Sequence, residues 1–220
     1  MRPRTRQLFI ALILCTLLPA TPTTAAVLGL TSAHLTTASK AYGAVMSCTL
    51  EAVADTYVNK LVPNTNFGTA TTVQVSPDSL ATQRTFVRFD LSGCTPAIPV
   101  DALVQSANVQ LTLTSAALAT RTLELRVVTS GWAEGMATWN VQPAQAVSAS
   151  STAAVTLGSA AGTNIQWNAS ADVQAIIGGS PDFGWRVADT AEGILAGATV
   201  SFGSREAATG RPLLVISYRP

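Results

Sequence analysis

Histidine and lysine are nearly absent from this sequence. Histidine occurs once, at His34, and lysine only at Lys40 and Lys60. Without an imidazole base, the chain beyond residue 50 cannot build a Ser-His or Cys-His pair, nor a zinc site of the HExxH kind. Carboxylate-based hydrolysis or elimination needs no histidine, but no spacing singles out two of its acids. We therefore predict no catalytic residue in this chain.

Charge is also scarce, since charged residues make up 11% of the chain. From residue 51 onward there are nine basic and twelve acidic side chains, which gives a formal charge of −3. Binding to nucleic acid depends on a basic face that releases counterions. The balance of charge therefore excludes a nucleic-acid partner, and the abundant small and hydroxyl residues favour an extracellular β-protein.

Long apolar runs are missing except at the start of the chain. Arg2, Arg4 and Arg6 precede an apolar run at 8–18. Its 11 residues are too few for a bilayer span of about 20, but they suit a secretory signal peptide. We predict a signal peptide over residues 1–26, a secreted protein and no membrane span. A lipid anchor at the VMSC motif ending in Cys48 stays an alternative.

Cysteine is rare as well, with three residues in the whole chain. Cys15 lies in the predicted signal peptide, so Cys48 and Cys94 remain in the mature protein. In an exported protein such a pair most simply forms one disulfide. We predict that bond, with two free thiols as the alternative.

What the sequence does contain is an alternation of apolar and polar residues. Residues 27–50 lack a sustained period and are predicted to be a flexible leader, followed by one domain over 51–220. Strands are predicted from the motifs TTVQVS, RTFVRFDLS, ANVQLTLT, RTLELRVV, FGWRV, ATVSFGS and PLLVISY. One short helix is predicted at 170–177, and a long loop around one short strand at 143–163. With no β/α alternation, an all-β, antiparallel two-sheet sandwich of the jelly-roll kind fits best.

Six motifs in order give a family resemblance. They are ADTYVNKLVPNTNFGT, RTFVRFDLS, SANVQLTLT, WAEGMATWN, FGWRV and FGSREAATGRPLLVISY. Together they resemble the DNRLRE domain, a secreted jelly-roll module, and the resemblance spans roughly residues 51–218. The resemblance implies a carbohydrate-binding module of the kind reported to bind alginate, with a polysaccharide or cell-surface glycan as partner. We expect the module to be a monomer.

Arginines give the first candidate binding surface. Alternation that buries Val87 and Phe89 places Arg84, Arg88 and Asp90 on the opposite face of their strand. The same argument exposes Glu124 and Arg126 in RTLELRVV. If these two strands are neighbours, a charged strip crosses one sheet and could bind a uronate carboxylate. The alternative is that Arg88 pairs with Asp90, Glu124 or Glu206 as an ordinary cross-strand ion pair.

Tryptophans and a third arginine motif give further candidates. Trp132 and Trp139 flank a glycine turn in WAEGMATWN and could stack on sugar rings, while Glu134 between them could bind hydroxyl groups. The alternative is that both indoles close one end of the sandwich, while Glu134 accepts hydrogen bonds from backbone donors of the turn. Arg205, in the SRE motif, is either a ligand contact or half of a structural ion pair.

Side chains with oxygen atoms could bind one structural metal ion. Asp55 with Asn59, or Asp172 with Asp182, could hold a structural calcium ion, although no dense acidic loop is present. Three functions therefore compete: a glycan-binding module, a structural or adhesive surface protein, and a small polysaccharide lyase or hydrolase. Arginines that converge without carboxylate partners would favour the first.

Overall fold

The computed structural model describes residues 40–220. The predicted signal peptide and the leader up to residue 39 lie outside the described residues. Eleven strands, one 3₁₀ turn and one helix form the domain. The strands are β1 Met46–Glu51, β2 Ala54–Asn59, β3 Thr72–Val75, β4 Gln83–Arg88, β5 Leu103–Thr112, β6 Arg121–Val127, β7 Ser151–Val155, β8 Asn164–Asn168, β9 Trp185–Asp189, β10 Val200–Gly203 and β11 Leu213–Arg219.

The strands form two larger antiparallel sheets and one short pair. The first sheet has the order β1-β11-β5-β8, the second the order β2-β4-β9-β6-β7, and β10 pairs with β3. Single bridges join the short pair to both sheets, from Phe202 to Leu113 and from Ser76 to Gln83. The prediction of an all-β, antiparallel sandwich is confirmed.

Apolar residues at alternate positions face each other between the sheets. Buried side chains of this kind shield one face of each sheet from water and supply most of the folding free energy. The largest of them are Trp167, Trp185, Tyr218, Phe89, Phe202, Leu111, Leu113, Leu123, Leu125, Leu214 and Ile216. Both buried indoles have hydrogen-bond acceptors, because Trp167 donates to the carbonyl of Leu123 at 2.9 Å and Trp185 to Asp172 at 2.8 Å.

The single helix, α1 Ser170–Ile177, has the predicted bounds. The predicted strand within the loop at 143–163 is β7. Neither α1 nor the 3₁₀ turn Leu91–Gly93 is a long apolar helix of the kind that crosses a membrane, and residues 40–220 contain no such helix.

The predicted boundary between leader and domain needs correction. Strand β1 begins at Met46, inside the segment assigned to the flexible leader, and pairs along its whole length with β11. Met46, Cys48 and Leu50 of β1 alternate with polar residues and pack against the core, although only Leu50 is buried. The period-two pattern therefore extends into the segment assigned to the leader.

The predicted disulfide is present between Cys48 in β1 and Cys94 after the 3₁₀ turn. Their Cα atoms are 5.7 Å apart, within the range that a disulfide spans. The bond links the first sheet to the connection that leaves β4.

Replacing Cys48 and Cys94 together by serine is expected to lower the free energy of unfolding by about 2–4 kcal/mol, because the bond closes a loop in the unfolded chain. Urea unfolding of the variant and the parent measures the difference. Reduction of the parent should give the same loss, and an unchanged urea midpoint in both cases would contradict a stabilising bond.

Candidate functional site

Three arginines meet on the outer face of the second sheet. Arg84 lies in β4, Arg186 in β9 and Arg126 in β6, and the register places Arg126 directly opposite Arg186. Strand β9 separates β4 from β6, so the two strands are not neighbours, which was the condition set for a charged strip across the sheet. We call Arg84, Arg186 and Arg126, with Glu124 and Glu192, the arginine strip.

Carboxylates already pair with the guanidinium groups of the strip. Arg84 donates two hydrogen bonds to Glu192, at 2.7 and 2.6 Å, and Arg126 donates two to Glu124, at 2.7 and 2.8 Å. Arg186 also donates to Glu124. Two of the predicted ligand residues, Arg84 and Arg126, are therefore engaged in ion pairs.

Arg186 is the residue of this strip that sequence reasoning missed. Its side chain is only 5% exposed, and its Nε atom has no hydrogen-bond partner among residues 40–220. Burial lowers the pKa of Arg186 from its ordinary value, with a further lowering by Arg84, while Glu124 acts in the opposite direction. The strip holds three guanidinium groups and two carboxylates, which leaves a net positive charge.

A second apolar cluster lies on the same outer face. It contains Val58, Phe86, Val128 and Ala137, against which Trp132, Trp139 and Phe183 are partly buried. Phe86 lies between Arg84 and Arg88 on one face of β4, so the face predicted to be polar is apolar at its centre. The alternation itself contained this signal, because Phe86 is two residues from each arginine.

The tryptophans belong to residues 130–143, which we call the Trp loop. Trp132 donates its Nε1 hydrogen to the carbonyl of Phe183 at 2.8 Å, and Trp139 lies beneath Arg84 with 4.8 Å between ring centroid and Cζ. A shallow surface cavity of about 270 Å³ adjoins Trp132 and is lined also by Met136, Val141 and Gln142. Both indoles therefore contribute to packing and keep part of their surface in solvent.

Arg88 differs from the other predicted ligand residues. Its guanidinium group has no hydrogen bond and no carboxylate within pairing distance among residues 40–220, and it lies 5.8 Å from the ring centroid of Trp132. Asp90 does not pair with it, because β4 ends at Arg88 and the Asp90 carboxylate accepts hydrogen bonds from Ser92 at 2.9 and 2.6 Å. Arg88 and Trp132 thus place a guanidinium group without a hydrogen-bonded partner beside a half-buried indole. Its charge adds to the hydrogen bonds from Ser92 in lowering the pKa of Asp90, and it opposes the burial that raises the pKa of Asp182.

Arg205 lies in a separate group of charged residues. Its side chain donates to Glu134 at 2.7 and 2.9 Å and lies 2.9 Å from Glu206, while its backbone N–H donates to Asp55 at 2.7 Å. Of the two interpretations given to Arg205, the structure contains the ion pair. We call Asp55, Glu134, Glu206 and Arg205 the carboxylate cluster.

The carboxylate cluster is also where residues 40–220 could hold a metal ion. Oxygen atoms of Asp55, Glu134 and Glu206 lie within 4.8 Å of one another. Burial is the main reason that the pKa of Asp55 rises to about 7, while the N–H of Arg205 lowers it and Glu206 and Glu134 raise it.

Of the four residues first considered for calcium, only Asp55 belongs to the carboxylate cluster. Asn59 accepts a hydrogen bond from Leu61 at 2.9 Å, and Asp182 accepts one from Gly184 at 3.1 Å. Asp172 accepts the indole hydrogen of Trp185. In each proposed calcium pair, Asp55 with Asn59 and Asp172 with Asp182, both members have a side-chain oxygen that already accepts a hydrogen bond from the protein.

An antiparallel sandwich with cationic and aromatic side chains on one outer face is an architecture typical of glycan-binding modules. Residues 46–218 match the model of carbohydrate-binding module family 96, and the chain belongs to that family. No curated protein is significantly similar to the chain. The resemblance to the DNRLRE domain stays a prediction.

Proposed function

We propose that this chain is a secreted, non-catalytic module that binds polysaccharides containing acidic sugars. Membership of a carbohydrate-binding family supports a glycan partner. The observation that carries the finer proposal is Arg88, a guanidinium group without a protein partner beside the half-buried ring of Trp132. The disulfide is compatible with an oxidising, extracellular location.

The chemistry of these two side chains fits a uronate residue. A guanidinium group donates two parallel hydrogen bonds to a carboxylate, and an indole face offers rigid apolar area to the C–H face of a sugar ring. The hydrogen bond from Trp132 to Phe183 fixes the orientation of the ring. Because the ring is already held, little conformational entropy is lost on binding.

The arginine strip has a supporting role in this proposal. Its net positive charge attracts an anionic chain and raises the rate of encounter. Arg84 and Arg126 keep their carboxylate partners, so they stabilise the face instead of contacting the sugar. Trp139 supports Arg84 from below.

A structural or adhesive role is the second candidate. It is favoured by the internal pairing of Arg84 and Arg126 with Glu192 and Glu124, since paired charges need no ligand. Hydrolysis or elimination has less support, because the clustered acids Asp55, Glu134 and Glu206 are held by Arg205.

Arg88→Ala is expected to weaken binding to a polyuronate by about 1.5–3 kcal/mol, the value of a lost charged hydrogen bond, or roughly tenfold to a hundredfold in Kd. Isothermal titration against alginate and an uncharged glucan measures the effect, and added salt should weaken only the polyuronate complex. The thermal unfolding temperature should change by only a few degrees, because Arg88 has no ion pair to lose and acts on Asp90 and Asp182 only at longer range.

The matched control is Arg211→Ala. Arg211 pairs with Glu51 at 3.1 Å on the first sheet, away from the proposed site. Equal losses in the two variants would show an unspecific charge effect, and binding that survives Arg88→Ala would remove Arg88 from the site.

A further inference from the structure

The Trp loop is attached to the rest of the domain through one acidic side chain, Glu134. Its carboxylate accepts a hydrogen bond from the backbone N–H of Asp55 at 2.8 Å and two from Arg205. Glu134 lies two residues after Trp132. Its hydrogen bonds therefore hold the loop backbone close to the indole, whose ring is oriented by the bond to Phe183.

The backbone of the same loop is held by a second residue that sequence reasoning missed. The side-chain amide of Asn66 donates to the carbonyls of Glu134 and Ala137, at 2.6 and 2.8 Å. Gly68 lies so close that a Cβ atom there would be 2.7 Å from Cγ of Glu134. The turn containing Asn66 and Gly68 thus fits tightly against the loop.

The backbone around Arg205 is fixed by hydrogen bonds that do not involve Glu134. Its backbone N–H donates to Asp55, and the neighbouring hydroxyl of Ser204 donates to the carbonyl of Ala70 at 2.6 Å. Its Nε and one terminal nitrogen are both used on Glu134. A guanidinium group that donates two hydrogen bonds to one carboxylate holds that carboxylate in a fixed geometry.

We infer that Glu134 and Arg205 act as a positioning pair, which holds the Trp loop so that Trp132 stands beside Arg88 for glycan binding. This inference rests on the proposed function. The pair acts through Trp132, and neither residue is a direct ligand. Preorganisation of this kind raises affinity because the bound geometry exists before the ligand arrives.

The test uses the single variants Glu134→Ala and Arg205→Ala and the double variant. Each is expected to weaken alginate binding by roughly tenfold. The double variant should lose no more than Glu134→Ala alone, because that change already breaks the pair with Arg205 as well as the bond from Asp55. If Arg205 were a direct ligand, Glu134→Ala would leave affinity intact or raise it. That result would overturn the inference.

A matched control separates positioning from general loss of stability. Arg121 in β6 and Asp189 in β9 form another ion pair with two hydrogen bonds, at 2.6 and 2.7 Å. This pair lies in the second sheet, at the end of β6 that is farther from the Trp loop. Arg121→Ala is expected to lower stability and leave the affinity of the folded protein unchanged. A tenfold loss in this variant as well would also overturn the inference. Glu134→Gln, which keeps an acceptor for Asp55, should restore part of the affinity if Glu134→Ala folds poorly.

Iodide quenching of tryptophan fluorescence gives a readout that needs no ligand. Trp167 and Trp185 are fully buried, so quenching reports on Trp132 and Trp139. Glu134→Ala should increase quenching and Arg121→Ala should not. If the parent binds no glycan, the proposed function fails, and unchanged quenching in Glu134→Ala would separately show that the pair does not position the loop.

Discussion

Glu124→Ala is expected to lower the free energy of unfolding by about 3–5 kcal/mol, because it leaves buried positive charge without a partner. Glu124 pairs with both Arg126 and Arg186, and its side chain is 12% exposed. Arg126 and Arg186 lie directly opposite each other on neighbouring strands. Without the carboxylate between them, the two guanidinium groups repel each other and lose charged hydrogen bonds in the same step.

Urea unfolding of the parent and the variant measures this loss, with Glu192→Ala as the matched control. Glu192 pairs with Arg84 alone and is 23% exposed, so its removal should cost only about 1 kcal/mol. An equal loss in both variants would mean that the central position of Glu124 has no special value.

A double replacement tests whether the cost comes from the unpaired charge. Glu124→Leu combined with Arg186→Met removes the carboxylate and the most buried guanidinium group together. Replacing a buried pair by apolar side chains of similar size is often close to neutral. The double variant should therefore be more stable than Glu124→Ala, and a larger loss would show that the ion pair itself is strongly stabilising.

Local alternation predicted which residues share a face but not which strands are neighbours. Arg84 and Arg88 do share the outer face of β4, and Glu124 and Arg126 that of β6. The strand between them, β9, lies far along the chain. Its Arg186 could be placed in the strip only by the order of strands, which depends on long-range pairing and not on the period of any one segment.

The carboxylate cluster was beyond prediction for a similar reason. Glu134 and Arg205 are separated by 71 positions and Asp55 and Arg205 by 150. No motif has a spacing that joins them, because Asp55 comes from strand β2, Glu134 from the connection between β6 and β7, and Arg205 from the connection between β10 and β11. The tryptophans were found because aromatic residues are scarce in this chain. Glu134 was predicted either to contact sugar hydroxyl groups or to accept from backbone donors of its own turn, whereas the backbone N–H that it accepts from is that of Asp55, in β2.

Asp55→Asn is expected to remove a pH dependence of stability between about pH 4 and pH 7. Asp55 is 1% exposed, opposite Val87 on the core side of β2. Burial raises its pKa to about 7 from the ordinary 3.8. The folded protein therefore keeps a proton that the unfolded chain releases in this range, so stability is full below pH 3.8 and falls as the pH rises to 7.

The size of the effect follows from the same linkage. A tenfold change in proton affinity corresponds to about 1.4 kcal/mol, so a pKa of about 7 instead of 3.8 sets an upper figure of about 4 kcal/mol. Asparagine keeps an oxygen that can accept the N–H of Arg205 and carries no charge at any pH. The variant should therefore be less stable than or equal to the parent at pH 4, and more stable at pH 8.

Urea unfolding at several pH values gives the free energy of unfolding of the parent and of the variant. In the difference between them, the contributions of all other carboxyl groups cancel, including those whose pKa is lowered by folding. Asp90 is one of these, because hydrogen bonds from Ser92 lower its pKa. Parallel curves for parent and variant would mean that Asp55 ionises freely in the folded state.

Repeating the series with added calcium tests what balances the charge of the carboxylate cluster. Among residues 40–220, Asp55, Glu134 and Glu206 lie beside a single guanidinium group, that of Arg205. If a proton supplies the missing positive charge, calcium should leave both curves unchanged, whereas stabilisation of the parent alone at pH 8 would show that the cluster binds a cation instead.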